Sequence, residues 1–139
     1  MQGTARVSFG PDHSKTEVEM ADIAVKNFDS PDEVRPFEGK GELRVVNVGD
    51  ESVGRATFEP GWRWSENVKP IAGTDSCQTY HLGYVLSGRM RISMTDGNEQ
   101  EVGPGDVIVV PPGHDAHVIG DEPCQTLEFG QASQYAKRS

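Results

Sequence analysis

Residues 103–120 read G-P-G-D-V-I-V-V-P-P-G-H-D-A-H-V-I-G, a turn, an apolar run, a second turn and a histidine pair. The run from Val107 to Val110 is β-branched throughout, too short for a helix and bounded by Gly and Pro. It reads as a strand buried on both faces. Two prolines cannot continue a ladder, and Gly113 admits a backbone angle closed to other residues, so the next strand leaves at a fixed angle. That strand opens with His114, Asp115 and His117.

Working outward, Tyr80 begins a run to Leu86 that turns at Ser87-Gly88. Met90, Ile92 and Met94 then alternate with Arg89, Arg91 and Ser93, the pattern of a strand with one wet face. Asp96-Gly97 is a two-residue hairpin signal, and residues 99–102 return from it. The last strand, residues 124–129, places Leu127 and Phe129 on one face and Cys124, Thr126 and Glu128 on the other, with the inner face undecided by pattern alone.

Upstream, residues 43–48 read as a strand. Ala56, Phe58, Pro60, Trp62 and Trp64 share one parity, so an extended chain points them the same way. Ser30-Pro31-Asp32-Glu33 is a capping box with proline at the first helical position, which predicts a short helix through Arg35. Residues 21–25 are a strand candidate, and residues 1–20 carry no sustained periodicity. Eight or more short strands with tight turns predict an all-β jelly roll with one short N-terminal helix. The expected organisation is a single domain, an arm and helix over residues 1–40 packing on a barrel over residues 41–139.

Two of these segments resemble the signature motifs of the cupin superfamily. Gly105, then Pro111-x-Gly113 and a nearby histidine, is similar to the second motif. Tyr84-Val85-Leu86-Ser87-Gly88 is similar to the end of the first. The resemblance spans roughly residues 54–130 and implies the cupin double-stranded β-helix. It also implies a metal site, with changed ligands: His81 stands where most cupins carry glutamate, and Asp75 and Cys77 stand where they carry H-x-H. By strict count the second-motif histidine falls at Ala116. His114 shares that parity, whereas His117 points the other way without a bulge. Cupin spacing also makes residues 65–76 an insertion, broken by Pro70 and Gly73, and a candidate lid over the barrel mouth.

Of four histidines in the chain, His81, His114 and His117 fall within these two motifs. The candidate ligands are Asp75, Cys77, His81 and His114, a set suited to a divalent transition metal such as zinc or iron. Residues four apart on a straight strand lie roughly 13 Å apart, so Cys77 and His81 meet only if the chain bends between them. Trp62, Trp64 and Tyr80 are the candidate wall for a small molecule; the tryptophans serve equally as plain core.

The 139 residues carry a formal charge of −9, which argues against nucleic acid or an anionic membrane as partner. No apolar run reaches the roughly 20 residues of a membrane span, and no leader pattern opens the chain, so the expected location is cytoplasmic. There, Cys77 and Cys124 are expected to be free thiols. Related barrels commonly pair through their first strands, which implies a homodimer. Two functions stay open: a metal-dependent cupin enzyme on a small organic substrate, with no catalytic residue assigned, and a metal-free module that binds and reports a small ligand.

Overall fold

The computed structural model describes residues 22–130 together with 135 and 136. The expected arm over residues 1–20 lies outside the described residues. In chain order the elements are β1 (Glu33–Pro36), β2 (Gly41–Val48), β3 (Glu51–Phe58), α1 (Trp64–Asn67), α2 (Lys69–Ala72), β4 (His81–Ser87), β5 (Arg89–Met94), β6 (Glu99–Val102), β7 (Val107–Val110), β8 (His114–Ile119) and β9 (Cys124–Phe129).

The strands form two antiparallel sheets, one of six strands in the order β1-β2-β3-β9-β4-β7 and one of three in the order β6-β5-β8. Their inner faces share one core. Leu43, Val45, Ala56, Val85, Val110 and Cys124 of the larger sheet pack with Met90, Ile92, Val102, Ala116 and Val118 of the smaller. Period-two alternation produces this directly, because every second residue of β4, β8 and β9 is buried. The parity shared by Ala56, Phe58, Trp62 and Trp64 holds in space, and all four are buried. The Phe58 and Trp62 ring centroids lie 4.4 Å apart at a tilt, and Phe37 stacks on Phe58 at 5.4 Å. The aromatic face is therefore the packed end of the core.

Three local expectations fail. The capping box at Ser30–Glu33 does not start a helix; residues 33–36 form β1, paired with β2 from Glu33↔Val45 to Pro36↔Glu42. Asp32, inside that segment, accepts the Asn47 backbone N–H at 2.6 Å and the Lys26 ammonium at 2.8 Å. A one-turn helix closes too few hydrogen bonds to repay its nucleation, whereas an edge strand joins a ladder that already exists. It also buries Arg35, whose Nη1 donates to the Tyr135 carbonyl at 2.7 Å.

Residues 22–26 form no strand, and Ile23 and Val25 are exposed. Finally, β7 is buried on one face only: Val107 is 72% and Val109 56% exposed. An antiparallel sheet has no crossover helices to cover its outer face, so an apolar run does not guarantee burial on both sides. By register Val109 lies opposite Leu82 and Val107 opposite Tyr84, while Leu82 also pairs with Phe129. Together they make an exposed apolar patch on the outer side of the larger sheet.

Candidate metal centre

The centre is assembled from three places in the chain. Cys77 stands four residues before β4, and its N–H donates to the His114 carbonyl at 2.7 Å while its own carbonyl accepts the Gly113 N–H at 2.7 Å. This isolated bridge ties Cys77 to the first residue of β8. It forms because the prolines end β7 and Gly113, at φ +95°, turns the chain back. His81 opens β4 on the inner face, so the segment between Cys77 and His81 carries the bend that the sequence demanded.

The side chains converge. Cys77, His81 and His114 each offer a donor atom, and the three atoms lie within 4.8 Å of one another. Cys77 Sγ is 3.6 Å from His81 Nε2, and the two imidazole centroids are 5.1 Å apart. All three residues are at most 9% exposed.

Each imidazole is held from behind. His114 Nδ1 lies 2.7 Å from the Pro111 carbonyl. A carbonyl only accepts, so Nδ1 carries the proton and Nε2 is left with a lone pair. His81 Nδ1 donates to Glu128 Oε1 at 2.7 Å, and the other carboxylate oxygen accepts the Thr126 hydroxyl at 2.9 Å. Gly83, paired with Glu128, makes room for this: a Cβ there would stand 2.8 Å from the Leu127 carbonyl and 3.5 Å from Glu128 Oε2. Burial acts against the Cys77 thiolate, but the adjoining imidazoles of His114 and His81 outweigh it and bring the pKa from 9.0 down to about 6. Burial likewise acts against a charged His81, yet Cys77 and Glu128 push it from 6.5 up to about 9.

The donor set fits a transition metal. A tetrahedral ion with a metal–sulfur bond of about 2.3 Å and a metal–nitrogen bond of about 2.05 Å sets S and N about 3.6 Å apart, the separation found between Cys77 and His81. Imidazoles anchored through Nδ1 to a carboxylate and a carbonyl are also the usual support of ligating histidines. Three protein donors leave a coordination position free.

The remaining candidates lie elsewhere. Asp75 is fully exposed and its carboxylate stands 3.8 Å from Lys69 Nζ, away from the clustered donors. His117 is on the outer face of β8, opposite Arg91 and bridged to Arg63. Partial burial and those two cations lower its pKa. Trp62 and Trp64 line an apolar cavity of about 40 Å³ with Phe58, His81, His114 and Glu128. Tyr80 is 46% exposed and is not among the residues that line it.

A second cavity of about 180 Å³ reaches the thiol side, lined by Trp64, Thr74, Cys77, Gln78, Thr79 and Tyr135. The segment expected as an irregular lid supplies part of its wall, folded into α1 and α2. Asn67 fixes α1, taking the Arg63 N–H at 3.0 Å on its Oδ1 and donating through Nδ2 to the Glu38 carbonyl at 2.7 Å. Asp115 Oδ1 ties the same turn to β8 through the Ser65 N–H at 3.2 Å.

A family model described as Cupin domain matches residues 75–130, which contain Cys77, His81, His114, Thr126 and Glu128. Those residues form a cupin domain. Solved structures agree on the cupin fold. A protein of unknown function from Acidithiobacillus ferrooxidans, 19% identical, superposes with a TM-score of 0.55 over 88% of this chain and 100% of its own. A cupin-superfamily sugar phosphate isomerase from Silicibacter pomeroyi, also 19% identical, gives 0.52 over 74% of this chain and 72% of its own. A protein of unknown function from Rhizobium leguminosarum, 20% identical, gives 0.50 over 91% and 96%. No curated protein matches the sequence.

Sequence reading gave no site role to Glu128, Thr126 or Tyr135. Parity with Cys124 was the available signal for the first two, because a glutamate and a threonine on the same face as a small apolar residue point inward together. Tyr135, whose ring stands 5.0 Å from His81, carried none. No helix among the described residues is long and apolar enough to cross a membrane.

Proposed function

We propose that this cupin domain holds a divalent transition metal, zinc or iron, on Cys77, His81 and His114, and uses it to act on a small organic molecule. The observation that carries the reading is the convergence of three buried donors within 4.8 Å, with both imidazoles anchored through Nδ1. A metal ion so held would supply Lewis acidity toward a substrate oxygen or a bound water.

The chain's own residues do the rest. Phe58, Trp62 and Trp64 exclude water from one side of the donors. The cavity on the thiol side, with Thr74, Gln78 and Thr79, offers hydroxyl and amide groups to orient a small polar molecule. Glu128 keeps a proton on His81 Nδ1, so that Nε2 faces the metal position. The lining of the thiol-side cavity includes no Lys or Arg among the described residues. That favours an uncharged hydroxyl- or carbonyl-bearing molecule over a sugar phosphate, the substrate class of the Silicibacter pomeroyi isomerase.

Metal analysis of untagged protein tests the reading. About one equivalent of zinc or iron is expected, together with loss of metal and an unchanged circular dichroism spectrum in the joint variant His81→Ala, His114→Ala. Metal-free wild type that takes up no added zinc or iron would refute it. If that metal-free protein were still stabilised by an organic ligand, the second cupin role, a metal-free ligand-binding module, would take its place.

A further inference from the structure

Glu128 is the only Asp, Glu, Lys or Arg among the described residues lining either cavity. It is 6% exposed, accepts on both oxygens, and reaches the metal position only through His81. A buried carboxylate whose partner imidazole becomes neutral on ligating a metal is costly unless something else in the site balances it.

Charge counting shows what balances it. Cys77 ligates as thiolate, one negative charge, and both histidines ligate as neutral imidazoles. Glu128 adds a second negative charge about one ring's width away. A dication makes the buried set neutral, whereas a monocation leaves it with one uncompensated negative charge. Donor softness gives no such discrimination: one thiolate and two imidazoles suit copper(I) as well as zinc(II).

We propose that Glu128 is a specificity-determining residue that makes this centre select a dication over a monocation, acting through the His81 imidazole. The inference rests on the metal-centre reading above. Thr126 and Gly83 serve it, the first by fixing the carboxylate and the second by giving it room.

The test compares zinc(II) and copper(I) affinities, each by chelator competition on the full chain under anaerobic reducing conditions, for wild type, Glu128→Gln and Glu128→Asp. Glutamine keeps the shape and still accepts from Nδ1, but removes the charge. Its zinc(II) affinity should fall roughly 10–100-fold, the usual cost of changing such a partner. Because the attraction scales with the ion's charge, its copper(I) affinity should fall by about the square root of that, roughly 3–10-fold, so the zinc-to-copper ratio shifts by roughly 3–10-fold. Aspartate keeps the charge, and its ratio should stay within about twofold of wild type even where both affinities drop. Equal weakening of both ions in Glu128→Gln would make Glu128 merely structural and overturn the inference. So would a shifted ratio in Glu128→Asp, which remains decisive should the glutamine variant fail to fold. Wild type that binds neither ion overturns the metal centre itself, a different failure from a wild type that binds zinc with a ratio indifferent to residue 128.

Discussion

Raising the pH from 7 to 8 should tighten zinc or cobalt binding by about tenfold. In the metal-free protein the Cys77 thiol, at about 6, has lost its proton at these pH values, and His81, at about 9, has kept one. A metal ligated by His81 Nε2 must displace that proton. Each ion bound therefore releases one proton from this pair, and the affinity follows the proton concentration at about 1.4 kcal/mol per pH unit. The sign is fixed by which state holds the proton: the protonated metal-free protein competes with the metal, and its advantage fades as pH rises. The gain should level off above about pH 9, and below about pH 6 the dependence should steepen as Cys77 regains its own proton. Competition against a chelator corrected for its own titration, with cobalt(II) as a visible probe, gives the slope. Calorimetry in buffers of different ionisation enthalpy counts the proton independently. A flat affinity between pH 7 and 8.5 with no proton released would refute the thiolate–imidazolium pair.

The same pair should leave metal-free stability flat across neutral pH. The raised His81 stabilises fully below pH 6.5 and loses that effect as pH climbs through about 9; the depressed Cys77 stabilises fully above pH 9.0 and loses that effect as pH falls through about 6. Between those limits the two trends cancel, and denaturant unfolding of metal-free protein from pH 6.5 to 9 checks it. His117→Ala should change metal affinity by less than about twofold because the ring lies on the outer face, whereas His114→Ala should cost roughly 100-fold or more in the same titration. Asp75→Asn should leave metal binding unchanged by inductively coupled plasma analysis, since its exposed carboxylate faces Lys69. Leu43→Ala should lower the unfolding free energy by about 2–5 kcal/mol in urea, because Leu43 is fully buried in the shared core.

Much of the barrel was legible because its inner strands obey strict alternation and its turns carry Gly and Pro where the chain reverses. His114 could be placed by parity with Ala116, and the Cys77–His81 pairing only through the bend that the cupin resemblance implied there. What alternation does not report is which face of an element finds a partner. β7 looked buried twice because its outer valines are as apolar as its inner residues, and only the uncovered outer face of the sheet exposes them. The segment at Pro31 carried a helix signal that lost to an edge pairing set by residues in β2, at a distance no local motif encodes. Asp75 was assigned through spacing carried over from the family, and the turn of chain before Cys77 sends it outward. Glu128 was seen but left without a side, since β9 alternates between two faces that both contain apolar residues.

The bridge between Cys77 and His114, and the hydrogen bond from His81 to Glu128 across 47 residues of sequence, bear on when a metal can bind. Cys77 and His81 are near in the chain, but His114 and the supports at Pro111 and Glu128 come from much later segments. Such long-range contacts close late in folding, so the ion cannot nucleate the barrel as it does in a zinc finger. It arrives at a finished cage. Its contribution then falls on the native state alone, growing with free metal concentration and slowing escape from the folded form while leaving the rate of folding untouched.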